Sequence, residues 1–102
     1  MSMFMNLFSQ AIETDYQALI KQGAMIVDVR TPGEFQGGHI RGSINIPLDE
    51  ISDKVTDLKA KNKVIITCCR SGNRSGAATS IMEAAGIESY NGGAWDSLEN
   101  KI

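Results

Sequence analysis

Four short apolar runs, separated by stretches with helical spacing, constrain this chain more than any other feature. They are Met25-Ile26-Val27-Asp28-Val29, Ser43-Ile44-Asn45-Ile46, Val64-Ile65-Ile66-Thr67-Cys68 and the briefer Glu88-Ser89-Tyr90. The first and third are nearly continuous in apolar character, as strands buried on both faces of a parallel sheet are. Between them Leu48, Ile51, Val55 and Leu58 fall three and four residues apart, an amphipathic helical stripe. Ala77, Ala78, Ile81, Ala84 and Ala85 repeat that spacing, with Gly86 placed to end the helix. Thr14-Asp15-Tyr16-Gln17 has the spacing of a capping box, and Tyr16, Leu19 and Ile20 form one apolar face before Gly23. A second capping box has Thr31 as cap, Pro32 at the first helical position and Glu34 reaching back, with Gly37-Gly38 stopping the helix early. Strands alternating with helices predict an α/β domain with a parallel sheet, right-handed crossovers and helices on both faces.

With 102 residues, 42% of them hydrophobic, the chain suits one compact core. Residues 1–10 read as a lead-in, with Leu7 and Phe8 capping the domain's edge, and residues 11–102 as the domain. A net charge of -2 gives no basic footprint for nucleic acid. No apolar stretch approaches the roughly 20 residues that span a bilayer, and the N-terminus has no basic flank or cleavage site of a signal peptide. The expectation is a cytoplasmic monomer. Cys68 and Cys69 are adjacent, which rules out an ordinary structural staple between them, and they lack the gap of a redox C-x-x-C motif. With a single histidine in the chain, no Cys/His spacing supports zinc.

Chemistry concentrates in Cys69-Arg70-Ser71-Gly72-Asn73-Arg74-Ser75, where the third strand gives way to a helix. Open parallel sheets bind ligands at the carboxyl ends of their strands. A cysteine at this junction lies under backbone N–H groups and a helix amino terminus, beside two arginines, and all three effects favour the thiolate. Gly72 is placed to supply a backbone angle that a side chain resists, Ser75 to cap the helix, and Ser71 and Asn73 to orient the loop.

This loop resembles the active-site loop of single-domain rhodaneses. Val27-Asp28-Val29-Arg30-Thr31-Pro32 with Glu34-Phe35, Gly38-His39-Ile40 followed by Gly42-Ser43-Ile44-Asn45-Ile46-Pro47, and Asn91-Gly92-Gly93 followed by Trp95 resemble that family's other blocks, in the family's order across roughly residues 13 to 98. Arg41 departs from the pattern, because many rhodaneses have proline there. The resemblance implies a three-layer sandwich with a central, mostly parallel sheet of about five short strands. It also implies a sulfurtransferase. Cys69 would take sulfane sulfur from thiosulfate or a persulfide donor, carry it as a persulfide and pass it to cyanide, a thiol or a protein acceptor such as thioredoxin, without cofactor or metal.

On that resemblance Arg70 and Arg74 hold the anionic donor, Arg74 also pairing with a carboxylate such as Asp28, while Asp28 and Arg30 form a supporting ion pair. His39 reads as a hydrogen-bonded structural residue, and Trp95 as core packing that can also wall the site's mouth. Side chains alternate along a strand, so only one of the two cysteines faces the loop. Cys69 leaves four residues before Arg74, the sulfurtransferase-like count; Cys68 leaves five, the count of cysteine phosphatases. Cys68 is then the last strand residue and packs in the core. A persulfide carrier with little small-molecule turnover, a phosphatase or arsenate-type reductase using Cys68, and an inactive binding module are the alternatives.

Overall fold

The structure is a computed structural model, and it describes residues 13–102; the lead-in over residues 1–10 falls outside them. The elements in chain order are α1 (Tyr16–Lys21), β1 (Met25–Asp28), α2 (Pro32–Gln36), β2 (Ile44–Asn45), α3 (Leu48–Ala60), β3 (Ile65–Cys69), α4 (Asn73–Ala84), β4 (Ser89–Ala94) and α5 (Trp95–Glu99). All strand pairs are parallel, in the order β2-β1-β3-β4. The sheet therefore has four strands among the described residues, where about five were expected. Each apolar run of the sequence forms one strand, and the remaining segments are helices or turns.

The two central strands are the most buried, and every residue of β3 is buried. Its side chains alternate. Ile65 and Cys69 join Val27, Val29, Ile51, Leu58, Ala78 and Met82 under α3 and α4. Ile66 and Cys68 join Ile26, Ile40 and Leu98, with Tyr16, Leu19, Ile20 and Trp95 of α1 and α5 packed against them. Helices thus cover both faces, and each fully buried isoleucine contributes about 1.5–3 kcal/mol. No described helix is long and apolar enough to cross a membrane.

The local signals act mostly as the sequence predicts. Thr31 Oγ1 accepts from the Glu34 N–H while Glu34 Oε1 accepts from the Thr31 N–H, a complete capping box. In α1 the cap is Asp15 rather than Thr14: its carboxylate accepts from the Ala18 N–H at 3.0 Å. Two strands run on past their expected ends. β3 runs one residue past Cys68, and β4 extends to Ala94 instead of ending at Tyr90. Beside β3, Thr67 pairs with Asn91 but Cys69 with Ala94, so β4 carries an extra residue at Gly92-Gly93. Gly93, at φ +79°, supplies the left-handed conformation that such a bulge needs. Gly92 lies against β3, where a Cβ would stand 2.7 Å from the Thr67 carbonyl oxygen.

Candidate active site

Cys69 ends β3 and α4 begins at Asn73, so three residues make the turn from strand to helix. Gly72 makes it possible, with φ +102° in the left-handed region. The turn folds the chain over its own cysteine. The Gly72 N–H donates to Cys69 Sγ at 3.0 Å and the Ser75 N–H at 3.4 Å, while Ser75 Oγ lies 3.3 Å from the sulfur. The first intrahelical bond of α4 runs from the Gly76 N–H to the Gly72 carbonyl, so the N–H groups of Asn73, Arg74 and Ser75 are free of helical partners. A twelve-residue helix thus points its amino end at the sulfur.

Burial alone pushes a thiol up, because it penalises the charged form. At Cys69, which is 1% exposed, that effect is outweighed by hydrogen bonds from the Ser75 hydroxyl and from the backbone N–H groups of Ser75, Gly72 and Ser71, and the thiol is held below its ordinary value. Cys68, on the opposite face, is fully buried, and burial together with the Asp28 charge pushes it up to about 12.

Ser75 does not cap α4. It lies inside the first turn, wholly buried, and the cap position is Gly72, which has no side chain to offer. The Ser75 hydroxyl faces Cys69 on one side and Asn91 Oδ1, 2.7 Å away, on the other. Ser71 and Asn73 are exposed, and their side chains make no hydrogen bond among the described residues.

Arg74 pairs with Glu34, not with Asp28. Its Nη1 and Nη2 donate to Glu34 Oε1 and Oε2 at 2.7 and 3.0 Å, and this clamp holds the Glu34 carboxyl down to about 2. Asp28 is already taken. Its Oδ1 accepts from the Arg30 N–H and Nε, and its Oδ2 from Arg30 Nη2 at 2.7 Å, both side chains being almost fully buried. Arg30 also donates to the Gly38 carbonyl at 2.7 Å and lies 4.8 Å from the Trp95 ring centroid. The expected Asp28–Arg30 pair therefore forms and fixes the segment that carries Glu34.

Arg70 is exposed and, with Arg30, Glu34, Gly38 and Trp95, lines a shallow depression of about 280 Å³ beside the loop. Trp95 serves both its expected parts, packed on the core and forming this wall. His39 stacks on Phe35 at 3.7 Å and its Nδ1 is 2.7 Å from the Phe35 carbonyl oxygen. A hollow of about 310 Å³ between Lys59, Lys63, Gly86 and Glu88 lies at the amino ends of β3 and β4, and no thiol or imidazole lines it.

Residues 13–96 match the rhodanese-like domain family, most of the chain. This chain belongs to it. The thiosulfate sulfurtransferase GlpE of Pseudomonas fluorescens is 33% identical over 85 residues, 81% of this chain and 75% of that protein. The thiosulfate sulfurtransferase PspE of Escherichia coli is 38% identical over 61 residues, 59% of each chain. Against the uncharacterized protein YqhL of Bacillus subtilis and PspE, the match spans only a little over half of the relative's length, 54 and 59%. Among solved structures, an Escherichia coli rhodanese with anions is similar at TM-score 0.66 and 33% identity, covering 72% of this chain and 89% of that one. A human single-domain sulfurtransferase is similar at TM-score 0.65 and 25% identity, covering 82 and 89%.

Sequence reasoning missed two residues. Glu34 was assigned as a cap but not as the partner of Arg74, and Asn91 was matched to a block without a role. The signal for Asn91 was the Gly-Gly pair after it, which marks a bulge in a strand next to the loop.

Proposed function

We propose that this rhodanese-like protein is a sulfurtransferase that moves sulfane sulfur from thiosulfate or a persulfide donor to a thiophilic acceptor through a persulfide on Cys69. The observation that carries this reading is the sulfur itself: a buried thiol that accepts from two backbone N–H groups at the amino end of α4. In the first step the Cys69 thiolate attacks the outer sulfur of thiosulfate; a new S–S bond forms, the donor's S–S bond breaks, and sulfite leaves with the electron pair. In the second, cyanide or a thiolate attacks the outer sulfur of the persulfide, and Cys69 leaves as the thiolate. Charge balances in both steps, so no redox partner or cofactor is required.

The persulfide is an anion, and the unpaired N–H groups of Asn73 and Arg74 are the donors available to it. Arg70, exposed and unpaired among the described residues, is the contact for an anionic donor, while Arg74 shapes the loop through Glu34. The names of the thiosulfate sulfurtransferase relatives support the donor class. A working thiol at Cys69, next to a second cysteine that forms no disulfide, fits a cytoplasmic, reducing setting. A phosphatase reaction at Cys68 has no comparable support, because that thiol faces away from the loop and is pushed up to about 12.

Intact-mass spectrometry after brief thiosulfate treatment tests the reading. A gain of about 32 Da, one sulfur atom, is expected in the wild type and in Cys68→Ala, absent in Cys69→Ala, and reversed by cyanide. A gain that needs Cys68, or none in any form, overturns it.

A further inference from the structure

The Ser75 hydroxyl has one proton and two neighbours that can take it. Its Oγ is 3.3 Å from Cys69 Sγ and 2.7 Å from Asn91 Oδ1. Ser75 is wholly buried, so water does not supply a third partner. Where the proton goes depends on which way the Asn91 amide is turned, and its neighbours fix that. The Gly93 N–H donates to Oδ1 at 3.0 Å, and Nδ2 donates to the Gly72 carbonyl at 3.1 Å. Turning the amide over would set N–H against N–H and oxygen against oxygen, losing both bonds.

Asn91 Oδ1 therefore faces Ser75 purely as an acceptor, and Ser75 donates to it at the length of a good O–H···O bond. Toward the sulfur, Ser75 then presents a lone pair. A Cys69 thiol satisfies that lone pair by donating its S–H. A thiolate has no proton to give, so the sulfur gains the Ser75 hydroxyl only if that hydroxyl swings away from Asn91.

We infer that Asn91 is a positioning residue of the Cys69 site: it competes with the sulfur for the Ser75 proton, so the thiolate gains that hydroxyl only as the proton swings away from Asn91. The inference rests on Cys69 as the reacting sulfur but not on sulfur transfer. The Gly72 and Ser75 N–H bonds to Sγ serve both protonation states, so Asn91 tunes only the hydroxyl's share. The β4 bulge brings Asn91 to this place, its carbonyl accepts from Tyr16 Oη at 3.1 Å, and Gly76 leaves room for its amide, since a Cβ there would meet Nδ2 at 3.2 Å.

The charged and titratable groups around Cys69 are Arg70 and Arg74 from the loop and α4, Glu34 from α2, Asp28 and Arg30 from β1 and its exit, Cys68 across β3, and Asp49 of α3, which shares a groove with Arg74. None of their side chains hydrogen-bonds Ser75 or the Asn91 side chain in the described residues, so substitution at 91 leaves their own pairings in place.

The test is the pH dependence of Cys69 alkylation by iodoacetamide in a Cys68→Ala background, checked by ultraviolet thiolate absorbance. Asn91→Leu removes the acceptor at similar size and should lower the titration midpoint by about one unit, about tenfold more thiolate well below it. Position 91 is exposed, which favours folding of the variant, and Asn91→Ala decides the matter if the leucine variant does not fold. In a Ser75→Ala background the same substitution should produce no shift, which separates a role through the hydroxyl from general loosening of the loop. An unchanged or raised midpoint, or an equal drop with Ser75 absent, overturns the inference.

Discussion

Cys68 and Cys69 are neighbours in the chain, equally hidden from solvent, and opposite in chemistry. Cys68 is 0% and Cys69 1% exposed, yet one thiol is pushed up to about 12 and the other is held below its ordinary value. Burial raises both thiols, so it accounts for the height of Cys68 but not for the lowering of Cys69. What differs is the face of β3. Cys68 looks into an apolar layer with Ile66 and Leu98, near the Asp28 carboxylate. Cys69 looks under the start of α4, where N–H groups have no other partner. The same desolvation that silences a thiol among hydrocarbons strengthens hydrogen bonds to a thiolate among fixed donors.

Exchanging one face for the other in function should be impossible by substitution of either cysteine. With thiosulfate and cyanide, Cys69→Ala is expected to lose roughly a thousandfold or more in kcat/KM, while Cys68→Ala stays within a few-fold of wild type. Steady-state kinetics of the two variants decide this, and the opposite ranking would move the reaction to the α1/α5 face. The next largest effect lies on the Cys68 face and concerns stability. Arg30→Met strands the Asp28 carboxylate in the interior and should cost about 3–5 kcal/mol in urea unfolding. Asp28→Asn with Arg30→Met should recover part of that loss, because the buried charge is gone.

How legible the site was follows the same division between local and long-range causes. The four strand runs, the Thr31–Glu34 capping box and the α3 stripe are local patterns, and each forms, although β3 and β4 run past their expected ends. The opposite directions of Cys68 and Cys69 follow from the period of a strand. Arg74's partner did not follow, because choosing between Asp28 and Glu34 depends on Arg30 having already occupied both oxygens of Asp28. Ser75 read as a cap from its residue type, but helix α4 starts two residues earlier, at Asn73, and turns that hydroxyl inward. Asn91 reaches the site only through a bulge, and a bulge is a property of two paired strands, visible in one of them only as Gly-Gly.

Stability against pH should separate the two thiols without any substrate. The folded-state value of Cys68, about 12, lies above its ordinary 9.0, so its contribution is fully present below pH 9 and is lost as pH rises toward 12. Cys69 is displaced in the other direction: its contribution is present above the ordinary thiol value and fades as pH falls through the lowered one. Thermal melts from pH 8 to 11 should therefore fall less steeply in Cys68→Ala than in wild type, and more steeply in Cys69→Ala. Equal slopes in all three proteins would mean that the two faces do not differ in the way their surroundings indicate.

The smallest effect distinguishes hydrogen bonds from charge on the Cys69 side. Glu34 is held down to about 2, first by its bonds from Arg74 and then by Thr31, below the ordinary 4.5. Its contribution to stability is present above pH 4.5 and is lost as pH falls toward 2. Glu34→Gln should therefore flatten the acid limb of the melting curve over that window, so that variant and wild type converge at its acid end. The same substitution removes the counter-charge from Arg74 while leaving the Gly72 and Ser75 donors in place. If those donors are what hold the thiolate, the Cys69 alkylation midpoint falls only slightly, by about a few tenths of a unit, because an arginine about one-third exposed is well screened. A drop as large as that expected for Asn91→Leu would make arginine charge, and not the N–H cradle, the chief difference between the two faces of β3.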